Sequence, residues 1–88
     1  MSAQLNRESE IIEGERAKLQ SLEAQLKALG RDIDYQRSVL DNADEDAVAQ
    51  FNGKVNRYNA MLEVVRSRER AFNQSVNDYN EKLRRDGR

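Results

Sequence analysis

Proline, cysteine, histidine and tryptophan are missing from this 88-residue chain, and only four residues are glycine. Without cysteine there is no disulfide and no thiolate metal site, and without histidine the commonest metal ligand and general base are missing. The lack of proline and the scarcity of glycine remove the residues that most often interrupt helices. We therefore expect long helices and a protein that is not an enzyme and holds no cofactor or metal.

A dominant charge and long apolar runs are also missing. The chain has fifteen basic and sixteen acidic residues and so a net charge of −1. This balance argues against a dedicated nucleic-acid surface. No apolar run approaches the roughly 18 residues of a membrane-spanning helix, and no signal peptide is recognisable. The composition predicts a soluble segment with no nucleic-acid partner and no direct membrane insertion.

The charge-rich composition predicts helices rather than a compact globule. Charged residues make up 35% of the chain and hydrophobic residues 38%, and so few residues bury only a small core. We expect one domain over residues 1–88, which is compatible with a segment of a larger protein.

Apolar residues recur every seven positions through both halves of the chain. In the first half, position a holds Leu5, Ile12, Leu19, Leu26, Ile33 and Leu40, whereas position d is half polar. In the second half, position a holds Val48, Val55, Leu62, Val76 and Leu83, and position d holds Phe51, Tyr58, Val65, Phe72 and Tyr79. Glu69, at position a, breaks the second seam. A sustained seven-residue repeat predicts a left-handed coiled coil.

The sequence "DNADEDA", residues 41–47, separates the two halves. It contains four acidic residues and nothing apolar larger than alanine, and Asn42 and Asp44 are N-cap candidates. The predicted bounds are helix 1 at about 3–41, an acidic turn at about 42–45 and helix 2 at about 45–85. A connection this short predicts an antiparallel helical hairpin.

The two seams face each other in such a hairpin. Setting Leu40 opposite Phe51 brings Ile33 opposite Tyr58 and continues in steps of seven. The predicted core seam is Leu19, Leu26, Leu29, Ile33, Leu40, Phe51, Val55, Leu62, Val65, Phe72 and Val76.

Charges favour the same antiparallel arrangement. Helix 1 begins with Glu8, Glu10, Glu13 and Glu15, and helix 2 ends with Lys82, Arg84, Arg85 and Arg88. Folding back brings these clusters together, and each sign suits its own helix terminus. Glu23 is expected opposite Arg66. Exposed pairs of this kind contribute little stability, so they set orientation more than strength.

Two nearly identical stretches, "FNGKVNRYN" at 51–59 and "FNQSVNDYN" at 72–80, start 21 residues apart. Twenty-one residues are three heptads, so the phenylalanines and tyrosines return to the seam. The asparagines fall beside the seam, at positions e and b: Asn52, Asn56, Asn59, Asn73, Asn77 and Asn80. One interpretation is a duplicated heptad unit with tolerated asparagines. The other is an interaction face formed by these asparagines with Tyr58 and Tyr79, which their poor helix propensity slightly favours.

Polar seam positions predict that a lone hairpin is only marginally stable. These positions are Glu8, Glu15, Gln36 and Glu69, whereas Ile11, Tyr35, Val39 and Met61 widen the apolar surface outside the seam. Widened surfaces are common where hairpins pair. We therefore predict a homo-oligomer, a dimer of hairpins forming a four-helix bundle, or packing on another protein domain.

Three further groups have alternative interpretations. One group is Arg66, Arg68 and Arg70, which are interpreted either as a phosphate-binding cluster or as part of a solvent-exposed helix face. The acidic residues of the turn are interpreted either as Ca²⁺ ligands or as helix-capping residues: Asp41, Asp44, Glu45 and Asp46. They lack the glycine and the terminal glutamate of an EF-hand loop. Glu69 has three interpretations: a catalytic carboxylate, a buried residue that fixes the register, or a partner of Arg16. No second acid, base or nucleophile for catalysis lies at a usable spacing.

The run "VNRYNAMLEVVRSRERAFNQSVNDYN" resembles the Tyr-Asn-repeat coiled-coil segments of bacterial proteins, which are often envelope-associated and sometimes adjoin a peptidase domain. The resemblance covers the second half of the chain and implies a bacterial source and a spacer or assembly role. No catalytic residue carries over. The predicted function is a non-catalytic structural coiled coil acting as spacer, oligomerisation or docking element. The alternative is a protein-binding module that presents the Asn/Tyr face to a specific partner.

Overall fold

Two long α-helices make up the computed structural model, which describes residues 3–87. Helix α1 spans Ala3–Val39 (37 residues) and α2 spans Glu45–Asp86 (42 residues). The molecule measures 68 × 15 × 15 Å, as expected for two helices of about 56 and 63 Å lying side by side. The prediction of an all-α helical hairpin is confirmed. Arg88, predicted to belong to the basic end of helix 2, lies outside the described residues, as do residues 1–2 of the predicted domain.

The connection between the helices begins earlier than the sequence predicted. Helix α1 ends at Val39 rather than near residue 41. The Asp41 carboxylate accepts a hydrogen bond from the Ala43 N–H (3.0 Å), and the Asp41 carbonyl accepts one from the Asp44 N–H (3.0 Å). Because aspartate bonds the backbone two residues onward in this way, the chain turns at Asp41 instead of continuing the helix.

Asp44 caps the start of α2. Its carboxylate oxygen accepts a hydrogen bond from the Ala47 N–H at 3.1 Å, and its backbone is extended, as an N-cap residue requires. The other candidate, Asn42, lies inside the turn. Helix α2 then runs to Asp86, one residue beyond the predicted end.

Contacts near both ends of the rod show that the helices are antiparallel. The Lys54 ammonium donates to the Asp32 carboxylate at 2.7 Å near the turn. The Lys82 ammonium donates to the Glu8 carboxylate, also at 2.7 Å, near the open end. The acidic start of α1 and the basic end of α2 therefore do meet, through this second pair.

The core is a single line of side chains along the interface. Among residues 3–87 five are buried: Leu5, Ile12, Leu19, Ile33 and Val65. The first four occupy position a of α1, and Val65, at 2% exposure, occupies position d of α2. The rest of the predicted seam is half-buried: Leu26, Leu29, Leu40, Phe51, Val55, Leu62, Phe72 and Val76. Each helix of a two-helix hairpin can bury only the narrow face that contacts the other helix, so few side chains are fully buried.

Two predicted ion pairs are not formed among residues 3–87. Glu23 and Arg66 are both exposed and make no ion pair, because exposed pairs gain too little to hold two long side chains in place. Arg16 does not pair with the half-buried Glu69. It lies 3.7 Å from the Glu13 carboxylate, three residues before it on the same helix.

Candidate interaction surfaces

Residues that flank the seam divide the hairpin into two sides. On one side, position e of α1 covers position d of α2: the Arg16 guanidinium carbon lies 5.3 Å from the Phe72 ring centre, and that of Arg37 lies 5.8 Å from the Phe51 ring centre. The other side is marked by the pair of Asp32 and Lys54, both at position g. We call the side formed by positions e and b the asparagine side, and the side formed by positions g and c the g side.

The 21-residue repeat belongs to both helices. Arg16 and Arg37 are 21 residues apart, as are the phenylalanines beneath them. Between the two layers, a Cβ at Gly30 would lie 3.3 Å from Cε2 of Tyr58. Ser9, 21 residues before Gly30, holds the corresponding heptad position and is half-buried.

The contact of an arginine with a phenylalanine is therefore repeated along the hairpin, and in one repeat a glycine also faces the tyrosine. In the sequence alone, the repeat is evident only in the second half of the chain. The signal in the first half was the equal spacing of Arg16 and Arg37, which Ile12 and Ile33 share. Packing accounts for the repeated aromatic residues but leaves the asparagines without a role inside the hairpin.

All six predicted asparagines are exposed on the asparagine side: Asn52, Asn56, Asn59, Asn73, Asn77 and Asn80. None of their side chains makes a hydrogen bond within the described part of the chain. Tyr58 and Tyr79, in contrast, are half-buried. Tyr58 packs on Gly30, and Tyr79 lines a depression with Ile11 and Ser75 of the g side. The structure thus groups the asparagines and places the two tyrosines in the seam.

The g side carries the exposed apolar residues. Its large ones are Ile11 (59% exposed), Tyr35 (67%), Val39 (61%) and Val64 (46%), all at position g or c. Met61, which the sequence also placed outside the seam, is half-buried there. The apolar residues that widen the seam and the asparagines therefore lie on opposite sides of the hairpin.

Charge is distributed unevenly between the two sides. The g side takes Arg7 and Lys18 from α1 and Lys54, Arg57, Arg68, Lys82 and Arg85 from α2, against only Asp32 and Asp78. The chain of net charge −1 thus carries a surplus of five positive charges on one side. Positions e and b hold six basic and five acidic residues in the two helices, so the asparagine side is nearly balanced.

The three arginines of "RSRER" do not form one cluster. Arg66 and Arg70 lie at positions e and b, on the asparagine side, whereas Arg68 lies at position g. All three are exposed. Residues two apart on a helix do not share a face, so the run is divided between two surfaces.

Depressions along the hairpin are shallow. One of about 190 Å³ is lined by Ile11, Ile12 and Tyr79 with polar neighbours, and ones of about 300 and 270 Å³ lie beside Lys18 and Arg68. Small-molecule sites usually enclose about 300–1,000 Å³. Within residues 3–87 no three carboxylates are grouped to hold a metal ion, and no helix has the length and apolarity to cross a membrane.

Comparison of the chain with protein-family models, curated proteins and solved structures found no match. The resemblance to Tyr-Asn-repeat segments therefore stays a prediction.

Proposed function

We propose that this chain is a non-catalytic structural coiled coil that acts as a spacer, an oligomerisation element or a docking surface for other proteins. The observation that carries the proposal is the shape: a straight hairpin 68 Å long and 15 Å across, built on a core of five buried residues. No polar or charged residue is buried in the described part of the chain. Active sites usually hold such groups in clefts that perturb their ionisation, so the shape favours mechanical and binding roles.

Pairing into a dimer of hairpins, a four-helix bundle, is part of this proposal, and we assign it to the asparagine side. The six asparagine amides there are exposed, and each both donates and accepts hydrogen bonds. A two-fold axis brings identical surfaces together, so two such stripes can bond each other. The near balance of charge on this side also avoids the repulsion that two g sides would suffer.

The solution mass of the wild type and of a variant with Asn52, Asn59, Asn73 and Asn80 changed to Ala tests the pairing. We expect twice the monomer mass for the wild type and the monomer mass for the variant. Alanine favours the helix over asparagine by several tenths of a kcal/mol per site. A change from the dimer mass to the monomer mass is therefore not attributable to unfolding. Circular dichroism checks that the variant stays helical.

Gln25→Ala with Gln50→Ala is the matched control, because it removes exposed amides from the g side and leaves the asparagines in place. We expect this variant to keep the wild-type mass. A folded, monomeric wild type would refute self-association, whereas a scattering profile without a dimension near 68 Å would refute the spacer.

A second candidate function is a protein-binding module that presents the asparagine side to a foreign partner. The exposed, unbonded amides favour it as well. If the four-asparagine variant keeps the wild-type mass, the stripe is not the self-association surface and this second function is preferred.

A further inference from the structure

We propose that the g side binds an acidic amphipathic helix of a partner protein, along its middle and the part nearest the turn. We call this surface the basic groove and define it by the basic residues Lys18, Arg57 and Arg68 and the apolar residues Tyr35, Val39 and Val64. The inference deepens the docking role proposed above, because it names the surface and the chemistry of the partner.

The positive charge of the basic groove is not neutralised within the hairpin. Lys54 is paired with Asp32 at 2.7 Å, the one acidic residue at positions g and c on this stretch. Lys18, Arg57 and Arg68 are exposed and make no ion pair among residues 3–87. Three cations are thus available to carboxylates of a partner.

Lys18 and Arg68 form a like-charge layer. They occupy position g of their helices, each 14 residues from the member of the Asp32–Lys54 pair on its own helix. Residues that flank a coiled-coil seam normally pair with opposite charge. Two cations in this layer weaken the isolated hairpin, and a carboxylate between them removes the conflict.

Apolar surface accompanies these cations. Tyr35, Val39 and Val64 are 46–67% exposed. A depression of about 270 Å³ has Lys18 and Arg68 among its lining residues and includes Leu22 of the seam. An apolar side chain can rest on Leu22 there while flanking carboxylates reach the two cations.

The dimensions of the basic groove suit a helix. From Lys18 to Val39 is about 32 Å at 1.5 Å per residue, or three heptads. The two helices lie side by side along the 68 Å length of the molecule, and the furrow between them accommodates the apolar stripe of a third helix.

Other occupants fit less well. A second copy would present the same excess of cations. An anionic membrane binds helices that present a continuous band of large apolar residues, whereas the basic groove has only three such residues, spread along its length. Nucleic acid is bound mainly through phosphate contacts, which leave exposed valines unused.

The test uses the full chain and a fluorescent helical peptide of about three heptads with leucine at a and d and glutamate at e and g. Titration followed by fluorescence anisotropy gives the dissociation constant. We expect binding that weakens with added salt, and no binding of a peptide with lysine in place of glutamate. Lys18→Glu with Arg68→Glu should weaken binding at least tenfold.

Arg31→Glu with Ala60→Glu is the control, because it adds negative charge at exposed f positions that lie neither in the basic groove nor on the asparagine side. We expect less than a twofold effect. Lys18→Gln with Arg68→Gln should give an intermediate loss while retaining the helical circular dichroism spectrum.

Several outcomes overturn the proposal. They are no binding of the glutamate peptide, equal binding of the lysine peptide, and equal losses in the charge-reversed variant and its control. Tighter binding to phosphatidylserine vesicles or to duplex DNA than to the peptide would assign the groove to those ligands instead. The mass measurement above is independent, so a monomer that binds the peptide refutes self-association without refuting this site.

Discussion

Gly30 lies in the middle of α1, where the Tyr58 ring packs against it. A Cβ there would lie 3.3 Å from Cε2 of the ring, closer than an ordinary contact, whereas a Cβ at Gly53 would meet nothing within 4 Å. Replacing a helical glycine by alanine gains about 0.5–1 kcal/mol. We expect Gly53→Ala to raise the free energy of unfolding by that amount and Gly30→Ala to raise it by less, because the tyrosine must shift. Urea unfolding at fixed protein concentration measures both.

Gly14→Ala is the control for that comparison, since a Cβ at Gly14 also meets nothing within 4 Å. It should match Gly53→Ala. Equal gains at all three glycines would mean that Tyr58 does not rest on Gly30 in solution. The contact of Gly30 with Tyr58 is not visible in the sequence, because a heptad position does not tell which ring lies opposite until the register is known.

Asp44 sets the start of α2 by bonding the Ala47 N–H at 3.1 Å. Removing an N-cap side chain costs about 1 kcal/mol, with a range of 0.5–2. We expect Asp44→Ala to lower the free energy of unfolding by about that amount and Asp44→Asn to retain most of it, as judged by chemical unfolding. Asp46→Ala is the control in the same first turn, and it should cost only a few tenths of a kcal/mol through the helix dipole. Equal costs for the two alanine variants would contradict the cap.

Much of the architecture at the level of the helices could be predicted from the sequence. Heptad spacing is a local property, so it indicated the seam, both helices and the short turn between them. The end of α1 was missed by two residues because the bonds of the Asp41 carboxylate and carbonyl compete with helix continuation. That competition depends on side-chain geometry rather than on periodicity.

The surfaces were less predictable, because they combine residues of both helices. The asparagine stripe lies on one helix and was visible in the sequence. The basic groove was not, since it joins Lys18 to Arg68 across the interface, and the net charge of −1 conceals it. The same holds for the arginine that covers each phenylalanine: its partner is on the other helix, at a distance that only the register defines.

For the whole molecule, the decisive question is whether each chain folds back on itself. The Glu8–Lys82 pair at 2.7 Å joins the start of α1 to the end of α2. The same contacts form between chains if two extended chains exchange helices, and a short hinge favours such swapping. Spin labels on cysteines introduced at Arg7 and Arg85 distinguish these arrangements. In a hairpin the labels are close together, whereas in one uninterrupted helix they would be about 117 Å apart.

We expect a short distance between the two labels, and we expect it to persist when the labelled chain is refolded with excess unlabelled chain. Dilution leaves intrachain distances unchanged, because both labels travel on one molecule. In a swapped dimer the short distances lie between chains, so dilution would remove them. Loss of the short distance on dilution would therefore mean that the same helix contacts form between two chains rather than within one. In such a swapped dimer each two-helix unit would contain α1 of one chain and α2 of the other. The basic groove would then be formed by residues of two chains.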